Sequence, residues 1–212
     1  ETVMSLMLYV QASPLTGRSY SIQVAGEFVE AYRKANPGDR VNILNVFTAD
    51  LPPFDSMAVS AKYAVMHGKP HTNEEENAWE RVRNVVAEFR EADKYLFAVP
   101  MWNFGIPYRL KQYLDLLLQP GLTFSFTHEE GYKGLVVGKP VTVVYARGSD
   151  YSAPGADAID FQKRYMEHIL RFMGFTDIRS IVVEPTMAGG HEAARDKRDA
   201  MIEVAEKMAV TF

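Results

Sequence analysis

Cysteine is absent from all 212 residues. That removes disulfide bridges, thiolate metal ligands and a thiol nucleophile from consideration. The five histidines, His67, His71, His128, His168 and His191, stand without metal-ligand spacing. His191-Glu192 has no second histidine one helical turn later, so the zinc-protease helix is excluded as well. There is no G-x-S-x-G elbow for a serine hydrolase. No G-x-G-x-x-G follows the first apolar segment, and Gly138-Lys139 runs into Pro140 ahead of a strand, which is not a phosphate loop. Long hydrophobic runs are missing too. The stretch Val3–Val10 is too short to cross a bilayer and has no basic region before it, so no membrane partner is expected and the cytoplasm is the expected location. Basic residues do not cluster: 23 Lys and Arg against 27 Asp and Glu give a formal net charge of −4, which argues against a nucleic-acid partner.

What is present is an ordinary globular composition, 47% hydrophobic and 24% charged, enough for one domain over residues 1–212. Five apolar segments read as strands: Met4–Val10, Val41–Val46, Tyr95–Val99, Val141–Ala146 and Ile178–Val183. Their continuous rather than alternating apolar character predicts strands covered on both faces. Helical stripes lie between them. Ile22, Val24, Ala25, Phe28, Val29 and Tyr32 make the first, ending near Asn36-Pro37-Gly38; Trp79 to Phe89 make the second and Leu110 to Leu117 the third. Ile159, Tyr165, Ile169, Leu170 and Phe172 suggest a fourth, and His191–Val210 a last. Alternating strands and helices predict an α/β, three-layer, flavodoxin-like sandwich with a five-stranded parallel sheet in the order 2-1-3-4-5 and helices on both faces. Two stretches, Ala49–Asn77 and Gln119–Gly138, are too long for plain connections.

In such a sheet ligands bind outside the C-terminal strand ends, where the strand order reverses. Three loops converge there. The first, Ala12 to Ser21, feeds a helix start, whose free N–H groups and dipole favour an anion; Ser13, Ser19 and Ser21 add hydroxyls. These serines suit one phosphate better than a pyrophosphate, although a hydroxyl at this place is also an ordinary helix cap. The second loop, Pro100-Met101-Trp102-Asn103-Phe104-Gly105-Ile106-Pro107, sets an amide side chain and two large rings between a proline that suits a strand end and a proline that suits a first helical turn. Such a loop can grip the edge of a flat heteroaromatic ring such as a flavin, with Asn103 reaching its pyrimidine edge and Trp102 and Phe104 walling it. The third loop runs Ala146-Arg147-Gly148-Ser149-Asp150-Tyr151. The amides of Gly148 and Ser149 are candidate donors to the ring, as in an oxyanion hole, and Tyr151 is a candidate to polarise a substrate carbonyl. Arg18 and Arg147 are candidates for a 2′-phosphate.

Taken together, these loops resemble those of the FMN-dependent NADH:quinone oxidoreductases, the NADH-azoreductase family. The resemblance rests on Ser13 with Ser19-Tyr20-Ser21, on Pro100-Met101-Trp102-Asn103-Phe104, and on Lys111-Gln112-Tyr113-Leu114-Asp115. It continues through Gly121-Leu122-Thr123-Phe124-Ser125-Phe126-Thr127, Gly134-Leu135, Gly138-Lys139 and Ala146-Arg147-Gly148. It implies non-covalent FMN with NADH or NADPH as co-substrate, hydride transfer through the flavin in a ping-pong cycle, and quinone or azo substrates. It also implies a homodimer with sites at the subunit interface, a substrate pocket near Phe124, Phe126 and Tyr151, and a role against electrophilic quinones. The competing reading is a flavodoxin-like electron carrier or flavin-binding regulatory module without a substrate pocket. One departure stands out. The family commonly has two glycines after the arginine of the third loop, whereas here Ser149 and Asp150 follow Gly148. Asp150 is expected to face solvent; pointed inward, its charge would disfavour an anionic reduced ring.

Overall fold

The structure is a computed structural model that describes residues 4–212. Val3, at the head of the first apolar run, lies outside the described residues. Among the described residues seven strands and six α-helices follow one another: β1 (Leu6–Gln11), α1 (Tyr20–Ala35), β2 (Arg40–Asn45), α2 (Ser56–Met66), α3 (Asn73–Glu91), β3 (Lys94–Pro100), α4 (Tyr108–Leu117), β4 (Phe124–Thr127), β5 (Gly131–Gly134), β6 (Val141–Ala146), α5 (Lys163–Met173), β7 (Ile178–Val183) and α6 (Gly190–Val210). Five strands form one parallel sheet in the order β2-β1-β3-β6-β7. This is the expected 2-1-3-4-5 order once the β4-β5 hairpin, which pairs only with itself, is set aside.

The strands read as continuous apolar runs because alternate residues enter two separate cores. Met7 and Tyr9 of β1, Leu96 and Ala98 of β3 and Val144 of β6 point toward α1 and α6. Leu8 and Val10, Tyr95, Phe97 and Val99, and Val141, Val143 and Tyr145 point to the other face, under α3, α4 and α5. Each fully buried Val, Leu or Phe contributes about 1.5–3 kcal/mol. The strand β2 departs from the expectation: it is the sheet edge, and Asn42 and Ile43 are exposed. A strand with one neighbour has less to cover it.

Three elements differ from the sequence reading. The stretch Ala49–Asn77 holds a helix, α2, capped by Asp55, whose carboxylate accepts from Met57 N at 3.1 Å and Ala58 N at 3.2 Å. Gln119–Gly138 holds the β4-β5 hairpin. The fourth helical stripe is broken: Ala156–Ile159 form a separate 3₁₀ turn, and α5 starts only at Lys163. The break is at Asp160, whose carboxylate accepts from Gln162 N (3.0 Å) and Lys163 N (2.9 Å) and so starts a new helix. At the far end of α5, Gly174 at φ +113° closes the helix against Gly134, where a Cβ would lie 2.3 Å from Gly174 N.

Candidate active site

The strand order reverses between β1 and β3, so the loops that follow these two strands flank the switch point. In the first loop, Arg18 N and Ser19 N both donate to Leu15 O, at 3.1 and 2.9 Å, and this turn delivers the chain into α1. Ser19 stands at the N-cap position, yet its hydroxyl makes no capping bond; it lies 3.1 Å from the Ser21 hydroxyl. The first intrahelical donor is Gln23 N, to Ser19 O at 2.9 Å. The amides of Tyr20, Ser21 and Ile22 therefore have no acceptor among the described residues, and the first turn carries no acidic side chain. Ser13, Ser19 and Ser21 are all buried, and Ser13 Oγ accepts from Leu15 N at 3.2 Å. This helix start presents N–H groups and hydroxyls and withholds any anion of its own.

The second loop is a two-residue turn. Trp102 N donates to Gly105 O at 3.0 Å, Gly105 N returns the bond to Trp102 O at 2.9 Å, and Asn103 and Phe104 have φ of +47° and +67°. That is the pattern of a type I′ turn. Asparagine tolerates such φ, but for phenylalanine it is strained by about 1–3 kcal/mol, a cost the surrounding structure must offset. Three bonds hold it: Met101 N to Ala146 O (2.8 Å), Phe161 N to Phe104 O (3.1 Å) and Gln162 Nε2 to Val99 O (2.9 Å). Trp102, Asn103 and Phe104 are left exposed. Pro100 ends β3 as expected, and Pro107 stands just before α4 rather than inside its first turn. Behind the turn the rings of Phe47, Trp102 and Tyr108 contact one another, with Phe47 5.5 Å from Trp102 and 5.7 Å from Tyr108. Pro53, Phe54, Trp102, Asn103, Tyr108 and Gln112 line an open depression of about 820 Å³. Lys111, on its rim, is held by Asp115 at 2.7 Å; burial pulls its pKa down, but the carboxylate outweighs burial and leaves it raised. A second cavity, about 650 Å³ between β2 and α3, is lined by none of the three loops.

The third loop corrects one expectation. The Arg147 guanidinium is 4% exposed and pairs with Asp160 and with Glu184, 3.1 Å from its Nε. One cation between two carboxylates leaves no net positive charge, so this side chain is a buried tie and does not offer itself to a 2′-phosphate. Tyr151 also has a packing contact: its ring lies 5.3 Å from the Arg147 guanidinium, and its amide donates to Glu184. Ala146 ends β6, and Gly148 O accepts from Met187 N at 3.1 Å. A Cβ on Gly148 would meet Met187 Sδ at 2.8 Å, a contact that the exposed methionine side chain can relieve by moving. The amides of Gly148 and Ser149 have no acceptor among the described residues. Asp150 is exposed; bonds from the Ser152 hydroxyl (2.6 Å) and amide (2.9 Å) hold its carboxyl below the ordinary range.

Phe124 and Phe126 do not join this cluster within one chain. Their hairpin packs on the C-terminal end of α5, with Phe124 4.8 Å from Phe172 and Val136 N bonded to Met173 O, at the edge of the sheet where the strands begin. The sequence reading missed the strap Asp160-Phe161-Gln162, which ties the second loop to the third. Its one legible signal is a carboxylate and an amide interrupting a helical stripe. It also missed Arg109 of α4 and gave no role to Gln112, which it placed only within the family motif; both bond to the backbone after β2.

Comparison with known proteins follows the same lines. Residues 6–208 match the family model described as the flavodoxin-like fold. The FMN-dependent NADH:quinone oxidoreductase of Nitratidesulfovibrio vulgaris (strain DP4) is 55% identical over 99% of this chain and 100% of its own length. The enzyme of that name from Desulfotalea psychrophila is 45% identical over 94% of each chain. Among solved structures, an azoreductase from Bacillus anthracis str. Sterne superposes with a TM-score of 0.90 at 30% identity, covering 99% of this chain and 100% of that one. An FMN-dependent NADH-azoreductase from B. anthracis str. Ames Ancestor, in complex with FMN, gives 0.86 at 25% identity, covering 97% and 100%.

Proposed function

The chain belongs to the FMN-dependent NADH:quinone oxidoreductases of the flavodoxin-like fold, and from that premise we propose that it reduces quinones and aromatic azo compounds with NADH or NADPH. The observation that carries this reading is the start of α1. Three free amides and two buried serine hydroxyls that cap nothing stand at the switch point of the sheet, beside a strained turn with exposed rings. These groups fit the phosphate of FMN, which neutral hydroxyls and a helix dipole hold without a lysine or arginine. When bound, FMN would supply the redox chemistry, hydride uptake from a nicotinamide and two-electron reduction of an acceptor.

The protein's part is binding, orientation and the exclusion of water. Ser19, Ser21 and the α1 amides would hold the phosphate, with Ser13 and Tyr20 beside them. Asn103 offers an amide donor and acceptor to the ring edge, and the strained turn fixes where that amide points. Trp102 and Phe104 wall the ring. The amides of Gly148 and Ser149, which have no acceptor among the described residues, would be the donors available to a reduced ring. Asp150, bonded to Ser152 and exposed, adds little to that charge balance.

The kinetic scheme is ping-pong: nicotinamide leaves before the acceptor occupies the same depression, and an azo bond takes two such cycles. The assembly is a homodimer in which a partner's Phe124–Phe126 hairpin closes the site. This is supported by the packing of that hairpin on α5 and not on its own three loops, and by the exposure of Phe104, Tyr108, Phe126 and Tyr132. The cell location is the cytoplasm, where two-electron reduction removes electrophilic quinones without releasing radicals. Among the described residues no helix is long and apolar enough to cross a membrane.

An anaerobic NADH titration of the FMN-loaded protein tests the reading. Bleaching by one equivalent per flavin, without a long-wavelength one-electron band, and recovery on adding benzoquinone are expected. A flavin that NADH cannot bleach would make the protein an electron carrier, and no bound flavin would overturn the reading.

A further inference from the structure

The chain between β2 and α2, residues 46–55, contains no regular secondary structure, yet it forms one wall of the depression. A wall built from a loop is only as definite as its supports. Here the supports come from α4. Arg109 Nε donates to Val46 O at 2.7 Å and Arg109 Nη2 to Ala49 O at 2.8 Å. Its Nη1 donates to Gln112 Oε1 at 2.6 Å, and Gln112 Nε2 donates to Pro52 O at 3.1 Å. Three hydrogen bonds thus run from one helical turn to three carbonyls spread over seven residues of the loop, and a fourth joins the two side chains that make them.

Two features separate this arrangement from ordinary packing. Arg109 is half-buried and forms no ion pair among the described residues, so its charge is spent on neutral oxygens, where an apolar side chain would fill the space without desolvating a charge. Its planar fork meets three acceptors at fixed angles, which a lysine cannot reproduce. The tied segment also supports the site: Phe47 contacts Trp102 and Tyr108, and Pro53 and Phe54, which follow Pro52 directly, line the depression together with Asn103.

We propose that Arg109 and Gln112 are positioning residues that set the width of the depression, and so which aromatic acceptors fit, by tying the Val46–Pro52 segment to α4. The proposal rests on the oxidoreductase reading above. Loosening the tie lets the Phe47–Phe54 wall retreat from Trp102. A broad acceptor then gains relative to a narrow one, whereas a merely structural tie would lower turnover of both by the same factor.

The test uses FMN-loaded wild type, R109K and Q112E. R109K keeps the charge and loses the fork; Q112E keeps the bond from Arg109 and removes the donor to Pro52 O. The readout is kcat/KM for benzoquinone and for an uncharged three-ring quinone, a hydroxymethyl anthraquinone, together with flavin content and tryptophan emission. The anthraquinone-to-benzoquinone ratio is expected to shift about tenfold in R109K, a change of the size that small alterations of pocket shape produce. A smaller shift in the same direction is expected in Q112E. Emission should redden in both, because Trp102 loses its contact with Phe47 while Trp79 stays buried. Ratios within twofold of wild type would overturn the proposal. If R109K does not fold, the ratio in Q112E decides by the same criterion. A wild-type flavin that NADH does not bleach overturns the oxidoreductase reading, and this proposal with it, before any variant is compared.

Discussion

Two helix starts in this molecule look alike in sequence and behave in opposite ways. Thr72 and Ser19 are both hydroxyl residues at an N-cap. At α3, Thr72 Oγ1 accepts from Glu75 N at 3.2 Å while the Glu75 carboxylate accepts from Thr72 N at 2.8 Å, a complete capping box, and Glu74, Glu75 and Glu76 all lie in the first turn. At α1 the hydroxyl turns to Ser21, no acid is present, and three amides are left over. The α3 start answers its own dipole with its own carboxylates, out in solvent. The α1 start, buried at the switch point of the sheet, leaves its dipole unanswered. On the function proposed above, the uncapped, acid-free and buried start of α1 is where the anion of the ligand would sit, a combination that the α3 start lacks.

The sharpest way to break the comparison is to remove the hydroxyls. Ser19→Ala with Ser21→Ala deletes two hydrogen bonds to a phosphate, each worth about 1.5–3 kcal/mol, so FMN affinity should fall at least a hundredfold while the fold persists. Flavin fluorescence released on dilution measures it; a double variant that keeps its flavin would return both serines to plain capping. The next largest effect is expected at the turn. Asn103→Gly keeps φ above zero without strain, so it isolates the side-chain amide from the backbone. Losing one buried-edge hydrogen bond should slow flavin reduction by NADH or weaken flavin retention about tenfold, a stopped-flow measurement. Unchanged rates and flavin content would remove Asn103 from the site.

How much of this was legible follows from the same contrast between what a residue is and what meets it. Strands β1, β3 and β6 were plain because both faces are covered, and Leu110, Leu114 and Leu117 announced α4 by their spacing. The helix α2 was not, because only Ala58 and Ala61 are buried and its apolar residues run all round, leaving no stripe. Ser19, Ser21, Asn103 and Trp102 fall where the three-loop argument puts them, since strand ends and helix starts fix their place. Arg147 does not serve as that argument expected. Its partners, Asp160 and Glu184, lie 13 and 37 residues away, and nothing local says that a loop arginine is buried. Arg109 was invisible for a related reason: it bonds to backbone carbonyls 60 and 63 residues distant, and a carbonyl has no letter in the sequence.

A smaller effect sharpens the comparison from the α3 side. Thr72→Ala should cost about 1 kcal/mol of stability and leave FMN affinity untouched, the reverse of the serine pair. For a chain of this length that is a fall of about 2–4 °C in Tm. A Thr72→Ala protein that loses flavin would mean that the two starts are coupled and the contrast between them is false.

The smallest effect is one of pH. Glu76, in the first turn of α3, lies 2.6 Å from His71 Nε2 and accepts from Arg83 at 2.6 Å; the bond to His71, helped by Arg83, holds its carboxyl below the ordinary range. A carboxyl lowered in the folded state stabilises fully above its unfolded value of about 4.3 and loses that contribution as pH falls through the folded one. The α1 start has no acid in its first turn to titrate. In flavin-free protein, amide exchange corrected for its intrinsic pH dependence should show protection lost at the first turn of α3 as pH drops below about 4.3, with α1 unmoved and the dependence flattened in Glu76→Gln. Equal losses at both helix starts would show that acid acts on the whole fold, and that the carboxylates of α3 do nothing particular to the dipole they face.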